Sequence, residues 1–376
     1  MTHFGKDLPL VSICIPVFNG GDLIYHALES CIHQTYKNIE IIVADNASSD
    51  GTEDVVKKYA THDKRVRYFR QTENIGPTKN FLSAFELASG EYVQLLAHDD
   101  WLSKNYIEEC VESFLANPEA AVVVGGLISL VVSEDGFFNF DREIGFDSKR
   151  YFVQHFLGDL RNNQMASLII YSMARRQDIV EATRLCSKLF DTPSSALSEE
   201  VRELHKKGFG IDIVISQKLL SKYGYFVFNN KIRYIKVDHA TNTGKTAGAG
   251  VDMQNAQGII NNYFYYLLCN EYLYSTLFKP HLSRLRLSIG TDMCGELVLG
   301  FFKSRLRANY FKALALKNLH SFFGNYTFLE KVTVVGMIVP SLISRVFSAV
   351  VRKSAEKKPA PFGEKYFLNS VGRFVF

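Results

Sequence analysis

The sequence predicts an α/β protein: a mostly parallel sheet flanked by helices on both faces, with a helical C-terminal region appended. Three observations carry this. Up to about residue 125, short apolar runs alternate with segments of helical spacing, the rhythm of strands joined by crossover helices. The strand-like runs end in Pro, Asn and Asp rather than in apolar residues. Beyond Val251 the pattern changes to aromatic and leucine-rich segments of helical spacing, such as Tyr263-Phe264-Tyr265-Tyr266-Leu267-Leu268.

The elements follow in order. Val11 to Pro16 is short, apolar and stopped by proline, so it is a buried strand. Asp22 to His33 places Leu23, Ala27, Leu28 and Cys31 at helical spacing. Ile39 to Ala44 is the second strand and runs into Asp45-Asn46-Ala47-Ser48-Ser49-Asp50-Gly51-Thr52-Glu53, where Asp50 and Glu53 predict a capping box for the next helix. Val66 to Arg70 is a third strand. Pro77 suits the first turn of a helix to Ala88, closed by Gly90. Tyr92 to Leu96 is a fourth strand, Ser103 caps a helix through Leu115, and Ala120 to Val124 is a fifth strand. Farther on, Phe226 to Phe228 and Lys231 to Val237 read as two more strands.

In sheets of this kind ligands bind beyond the carboxyl ends of the strands. Pro16-Val17-Phe18-Asn19, Asp45-Asn46 and Asp99-Asp100 all fall there. Two adjacent carboxylates at the end of a buried strand repel, and a cation beside them relieves the repulsion. A hard divalent metal that shares its oxygen ligands with a diphosphate is one such cation. A solvated turn is the plain alternative for Asp99-Asp100, as a local turn bond is for Asp45.

These motifs, in this order and together with Asn74-Ile75-Gly76 and Ala88-Ser89-Gly90-Glu91-Tyr92, resemble a family 2 glycosyltransferase of the GT-A, Rossmann-like fold over roughly the first 115 residues. The resemblance implies inverting transfer of a sugar from a nucleotide-diphosphate donor, a UDP-sugar by default, with a divalent cation, Mg²⁺ or Mn²⁺. It implies that Pro16, Phe18, Asn19, Asp45, Asn46, Asn74, Lys79 and Asp99 bind the nucleotide-sugar, and that Asp99, Asp100 and His239 hold the metal. One departure stands out: where the family's metal loop often carries a further acid, this chain has Ala97 and His98.

An acceptor hydroxyl must lose a proton as it attacks, so a general base is required. The resemblance extends to Lys207-Gly208-Phe209-Gly210-Ile211-Asp212, which makes Asp212 the expected base, at the start of an amphipathic helix whose dipole favours its ionised form. A mere N-cap is the plain reading of Asp212. Asp191, Glu199 and Glu200 are weaker rivals, in a stretch expected to form a mobile loop on the acceptor side. Residues 240–250 are small and suited to a lid, with Lys245 reaching phosphate. Gly244-Lys245-Thr246 lacks the spacing and context of a P-loop, which excludes an ATPase reading. A sugar nucleotidyltransferase would want a basic residue in the loop after the first strand, and Pro16 to Gly21 has none.

The expected domains are 1–250, a GT-A glycosyltransferase unit with a nucleotide-sugar half to about 125 and an acceptor half from about 126, and 251–376, a helical basic region. Residues 301–376 hold 13 Lys and Arg against 3 Asp and Glu, a charge of +10. Since the whole chain is +4, the remainder is −6. Such a region suits an anionic membrane surface. Nucleic acid is not expected, because no recognisable module accompanies the charge. Val332 to Val351 is interrupted by Pro340, Arg345 and serines, and reads as an in-plane or packed helix rather than a span. The polar start, Met1 to Asp7, predicts no signal peptide, and six cysteines without metal spacing predict reduced thiols. The expected location is therefore cytoplasmic, peripheral on the membrane face. The expected acceptor is a glycan or a lipid-linked glycan. A catalytically silent binding or scaffold subunit on the same fold is the alternative, fed by Ala97 and His98.

Overall fold

The computed structural model describes residues 8–133, 138–145, 147–152, 169–191, 211–223 and 225–239. In chain order the elements are β1 (Val11–Val17), α1 (Ile24–Ile32), β2 (Ile39–Asp45), α2 (Thr52–His62), β3 (Val66–Arg70), α3 (Pro77–Leu87), β4 (Tyr92–Leu95), β5 (Trp101–Leu102), α4 (Tyr106–Ala116), β6 (Val122–Val132), β7 (Phe138–Ile144), β8 (Lys149–Phe152), β9 (Met173–Arg175), α5 (Arg176–Asp191), α6 (Ile211–Lys222) and β10 (Tyr225–Asp238).

The ten strands among the described residues form one sheet, in the order β3-β2-β1-β4-β9-β6-β10-β5, with β7 on β6 and β8 on β10. The pairs β1–β2, β2–β3, β1–β4 and β6–β10 are parallel. β9 runs antiparallel to both β4 and β6. Two reversals restore direction, so β6 and β10 point the same way as β1 to β4, and the sheet is mostly parallel. β5, β7 and β8 run against it.

Every residue of β1 and β2 is buried, as continuous apolar strands covered by helices on both faces must be. The main core joins these strands to the inner faces of the helices through Leu28, Val56, Phe85, Phe114 and Ile215. A smaller cluster of Trp101, Ile128, Leu130, Ile235 and Val237 packs beneath β7.

Several local expectations change. The capping box at Asp50 does not form: Asp50 Oδ1 accepts from Thr52 N and Thr52 Oγ1, while Glu53 turns to Lys57 and Arg70. Ser103 does not cap α4, because its hydroxyl accepts from Arg233 N on β10. The fifth strand is eleven residues rather than five, since Gly125 and Gly126 sit within it where β10 and Tyr106 crowd the backbone. The two late strands are one strand, β10, with a shift of register between Asn229 and Arg233. There Asn229 Oδ1 accepts from Lys231 N, and its amide donates to Glu109 and Ser113. This bulge lets one strand continue where the sequence reads as broken.

Among the described residues no helix is long and apolar enough to cross a membrane. Cys14, Cys31, Cys110 and Cys186 are buried free thiols. The expectations for Lys207 to Gly210, for 192–200, for the lid at 240–250 and for everything from 251 onward lie outside the described residues.

Candidate active site

The carboxyl ends of β1 and β2 turn into loops that are stitched to each other. Asp45, the last residue of β2, is fully buried. Its Oδ1 accepts from Ser48 N at 2.9 Å and Ser48 Oγ at 2.5 Å, and its Oδ2 accepts from Tyr68 OH at 2.5 Å, with Arg70 Nε 3.6 Å away. Ser48 Oγ in turn accepts from Asn19 N, and Asn19 Oδ1 accepts from Ser49 N. Thr52 Oγ1 accepts from both Gly20 N and Gly21 N. Asn19 (φ 52°) and Ala47 (φ 62°) are held in the left-handed region. Asparagine tolerates that conformation through its local hydrogen bond. Alanine does not, so the surrounding bonds hold it there.

Asn46 spans to the third loop. Its Nδ2 donates to Asn74 Oδ1 at 2.9 Å, and its Oδ1 accepts from Ile75 N. Asn74 Oδ1 also accepts from Gly76 N, and Gly76 (φ +83°) opens α3 at Pro77. Lys79 lies exposed in the first turn of that helix. Pro16 is buried within β1, whereas Phe18, one residue past its end, is 44% exposed. Asn19, Asp45, Asn46 and Asn74 are thus brought into one network, with the Phe18 ring free beside it.

The loop after β4 carries Asp99 and Asp100 to the same end of the sheet. Asp99 Oδ2 meets His239 Nε2 at 2.9 Å, at the end of β10. Burial works against the Asp99 carboxylate, but the bond from His239 and the neighbouring His98 outweigh it and hold its pKa below the ordinary value. Burial pushes the His98 imidazole down, toward its neutral form. His98 packs over Gly20, where a Cβ would lie 2.9 Å from its ring.

Asp100 has a different place. It is 2% exposed, its Oδ1 accepts from Val237 N and its Oδ2 from Tyr234 OH, both at 2.8 Å. Burial, then the charge of Asp99, pushes its pKa well above the ordinary value. Both of its oxygens accept from β10, so Asp100 ties the strand that presents His239 to the loop after β4.

Asp212 sits in the first turn of α6. Tyr171, just before β9, links it to the loop: burial and then the charges of Asp100, Asp99, Asp212 and Asp238 push the Tyr171 hydroxyl well up. Of the four expected catalytic and metal positions, Asp99 and His239 meet directly, Asp100 joins their loop to β10, and Asp212 acts on Tyr171 through its charge. Ser48, Tyr68, Arg70, Tyr171 and Tyr234 escaped the sequence reading. Ser48 lies inside a quoted motif, but nothing marks the tyrosines, whose partners are far away in the chain.

Asp99 and His239 offer one carboxylate oxygen and one imidazole nitrogen. That set fits a divalent cation which takes its remaining ligands from phosphate and water. Among the described residues there is no group of three or more His, Cys, Asp or Glu side chains that would hold a metal unaided.

Residues 12–179 match the family model described as Glycosyl transferase family 2. Chondroitin synthase of Escherichia coli is 27% identical over 275 residues, 72% of this chain and 35% of that protein. The GalNAc(5)-diNAcBac-PP-undecaprenol beta-1,3-glucosyltransferase of Campylobacter jejuni is 35% identical over 122 residues, 32% of this chain and 39% of that protein. The crystal structure of TarS from S. aureus superposes with a TM-score of 0.56 at 16% identity, over 86% of this chain and 50% of that one, a likeness of fold. The chain thus spans well under two thirds of the length of these curated relatives, and between 18% and 54% of glycosyltransferases from Streptococcus pneumoniae and Haemophilus influenzae.

Proposed function

Through residues 12–179 the chain belongs to Glycosyl transferase family 2, and from that premise we propose that it transfers a sugar, with inversion, from a nucleoside-diphosphate sugar to a hydroxyl of a glycan or lipid-linked acceptor. The observation that carries this reading is the meeting of Asp99 and His239 at the sheet end that also holds the Asp45–Asn46–Asn74 network.

The network supports a nucleoside site. Phe18 offers an exposed ring for a base to stack on, and the Asn46–Asn74 bond shapes the wall beside it. Asp45 holds the loop through Ser48, Tyr68 and Arg70. Lys79, in the first turn of α3, suits phosphate, as does the positive end of that helix. Asp99 and His239 would hold Mg²⁺ or Mn²⁺, which supplies positive charge to a departing diphosphate. Asp212 accepts the proton of the acceptor hydroxyl as its oxygen bonds to the anomeric carbon. The bond from that carbon to the diphosphate oxygen breaks, and its electron pair leaves with the diphosphate. Attack from the face opposite the leaving group gives inversion.

A panel of nucleoside diphosphates, with and without Mn²⁺, read by thermal unfolding, tests the donor site. A ligand bound only by the native state raises the melting temperature. The expected result is a metal-dependent rise with one nucleotide, abolished in Asp99→Ala. A protein that responds to none of them is better described as a silent scaffold, the reading that Ala97 and His98 favour.

A further inference from the structure

Tyr171 lies just ahead of β9, at the carboxyl end of β4, and nothing in the reaction as derived above uses it. Its ring stacks on Tyr234, with centroids 4.6 Å apart and planes inclined by 28°. Tyr234 is itself locked, donating to Asp100 and accepting from Ala97 N. The Tyr171 carbonyl accepts from Gln94 Nε2 at 2.7 Å and from Tyr106 OH at 3.3 Å. Gln94 is fully buried in β4, and its only donor group is spent on Leu95 O and Tyr171 O. The residue is therefore fixed at both ends, by its backbone and by its ring face.

Its hydroxyl is a different matter. The ring is only partly buried, and among the described residues the hydroxyl has no hydrogen-bond partner. It lies in the combined field of Asp99, Asp100, Asp212 and Asp238. A phenol in that field keeps its proton, so it is available as a donor. A rigidly mounted donor without an internal partner is the arrangement expected of a group reserved for a ligand.

We propose that Tyr171 is a donor-sugar contact: held by Tyr234 and Gln94 beside the loop that carries Asp99 and Asp100, it gives a hydrogen bond to a hydroxyl or ring oxygen of the transferred sugar. The inference rests on the reading of the site as a glycosyl-transfer centre. The sugar is bonded to the phosphate beside Asp99, so it lies next to the loop against which Tyr234 mounts Tyr171. A contact there recognises the sugar and leaves the nucleoside untouched.

The test uses the full chain and Tyr171→Phe, which removes the hydroxyl and keeps the ring stacked on Tyr234. Affinities are measured by calorimetry with Mn²⁺ for UDP, GDP, UDP-glucose, UDP-N-acetylglucosamine and GDP-mannose. For the nucleotide that wild-type protein binds, Tyr171→Phe is expected to bind the free diphosphate within about twofold of wild type. It is expected to bind the preferred sugar conjugate about three- to tenfold more weakly, the loss of one hydrogen bond. Equal affinity of the two proteins for that conjugate overturns the proposal. An equal loss for the diphosphate and the conjugate also overturns it, because that is the mark of a structural role. Wild-type protein that binds none of the five overturns the underlying site reading, and this contact with it.

Discussion

Asp99 and Asp100 are chain neighbours with opposite fates. Asp99 stays below the ordinary carboxylate range because His239 and His98 outweigh its burial, whereas Asp100 is pushed up inside the protein. Their variants therefore fail differently. Asp99→Asn is expected to unfold near the wild-type temperature while losing the metal-dependent shift with nucleotide. Asp100→Ala leaves Tyr234 OH and Val237 N without acceptors, so it is expected to lose about 2–3 kcal/mol of stability in a denaturant titration. Asp212→Asn keeps the shape of the side chain but cannot take a proton. Its kcat is expected to fall by about 10²–10⁴-fold with nucleotide affinity unchanged. At this scale the sequence named the charged residues and missed what holds them. Asp45, Asn46 and Asp99 were legible as candidates because each lies at or just beyond the carboxyl end of a strand. Tyr171 and Tyr234 were not, because an aromatic in an apolar run looks the same whether it fills a core or lines a site.

Among the elements, β1 to β4 were readable to within a residue or two, since each is a short buried run between polar turns. The stretch from Val122 to Arg175 was not. β7 is a largely exposed edge strand, β8 has four residues and β9 three, too few for any period to register. The other end of the parallel half shows what the loops alone did not reveal. At the amino ends of the strands, Glu40 on β2 accepts from Ser12 Oγ on β1 at 2.6 Å, from Ser89 N before β4 at 2.5 Å and from Arg67 on β3 at 2.5 Å. Gly90 closes over this cluster, where a Cβ would come within 2.6 Å of Leu10 O. Burial opposes the Glu40 carboxylate, but Ser12, Ser89 and Arg67 win and lower its pKa from the ordinary 4.5. A lowered folded pKa means the stabilisation is complete above the unfolded value and is lost as pH falls through the folded one. The melting temperature of wild type is therefore expected to drop below about pH 4.5 more steeply than that of Glu40→Gln, which starts lower and has no such proton to take up. Equal acid slopes in the two proteins would count against this account.

For the whole molecule, charge and thiols give the accessible tests. With +10 in residues 301–376 and −6 elsewhere, the full chain is expected to sediment with vesicles containing phosphatidylserine and to be released by about 0.5 M NaCl. Vesicles of neutral lipid should leave it in solution. Cys14, Cys31, Cys110 and Cys186 are buried, and burial pushes all four thiols up, Cys31 to about 12. A thiol reagent is expected to spare these four until denaturant is added, which peptide mapping of the labelled sites would reveal. The joint between the two halves of the sheet has a consequence during synthesis. β4 and β6 are not paired with each other; in the sheet Met173 to Arg175 bridges them, and these residues leave the ribosome after both. Until they arrive, a nascent chain carries two bare strand edges, each a template for a neighbouring chain on the same messenger. The sheet is thus most exposed just before its clasp arrives, and slow, sparse translation at low temperature should favour soluble yield over rapid overproduction.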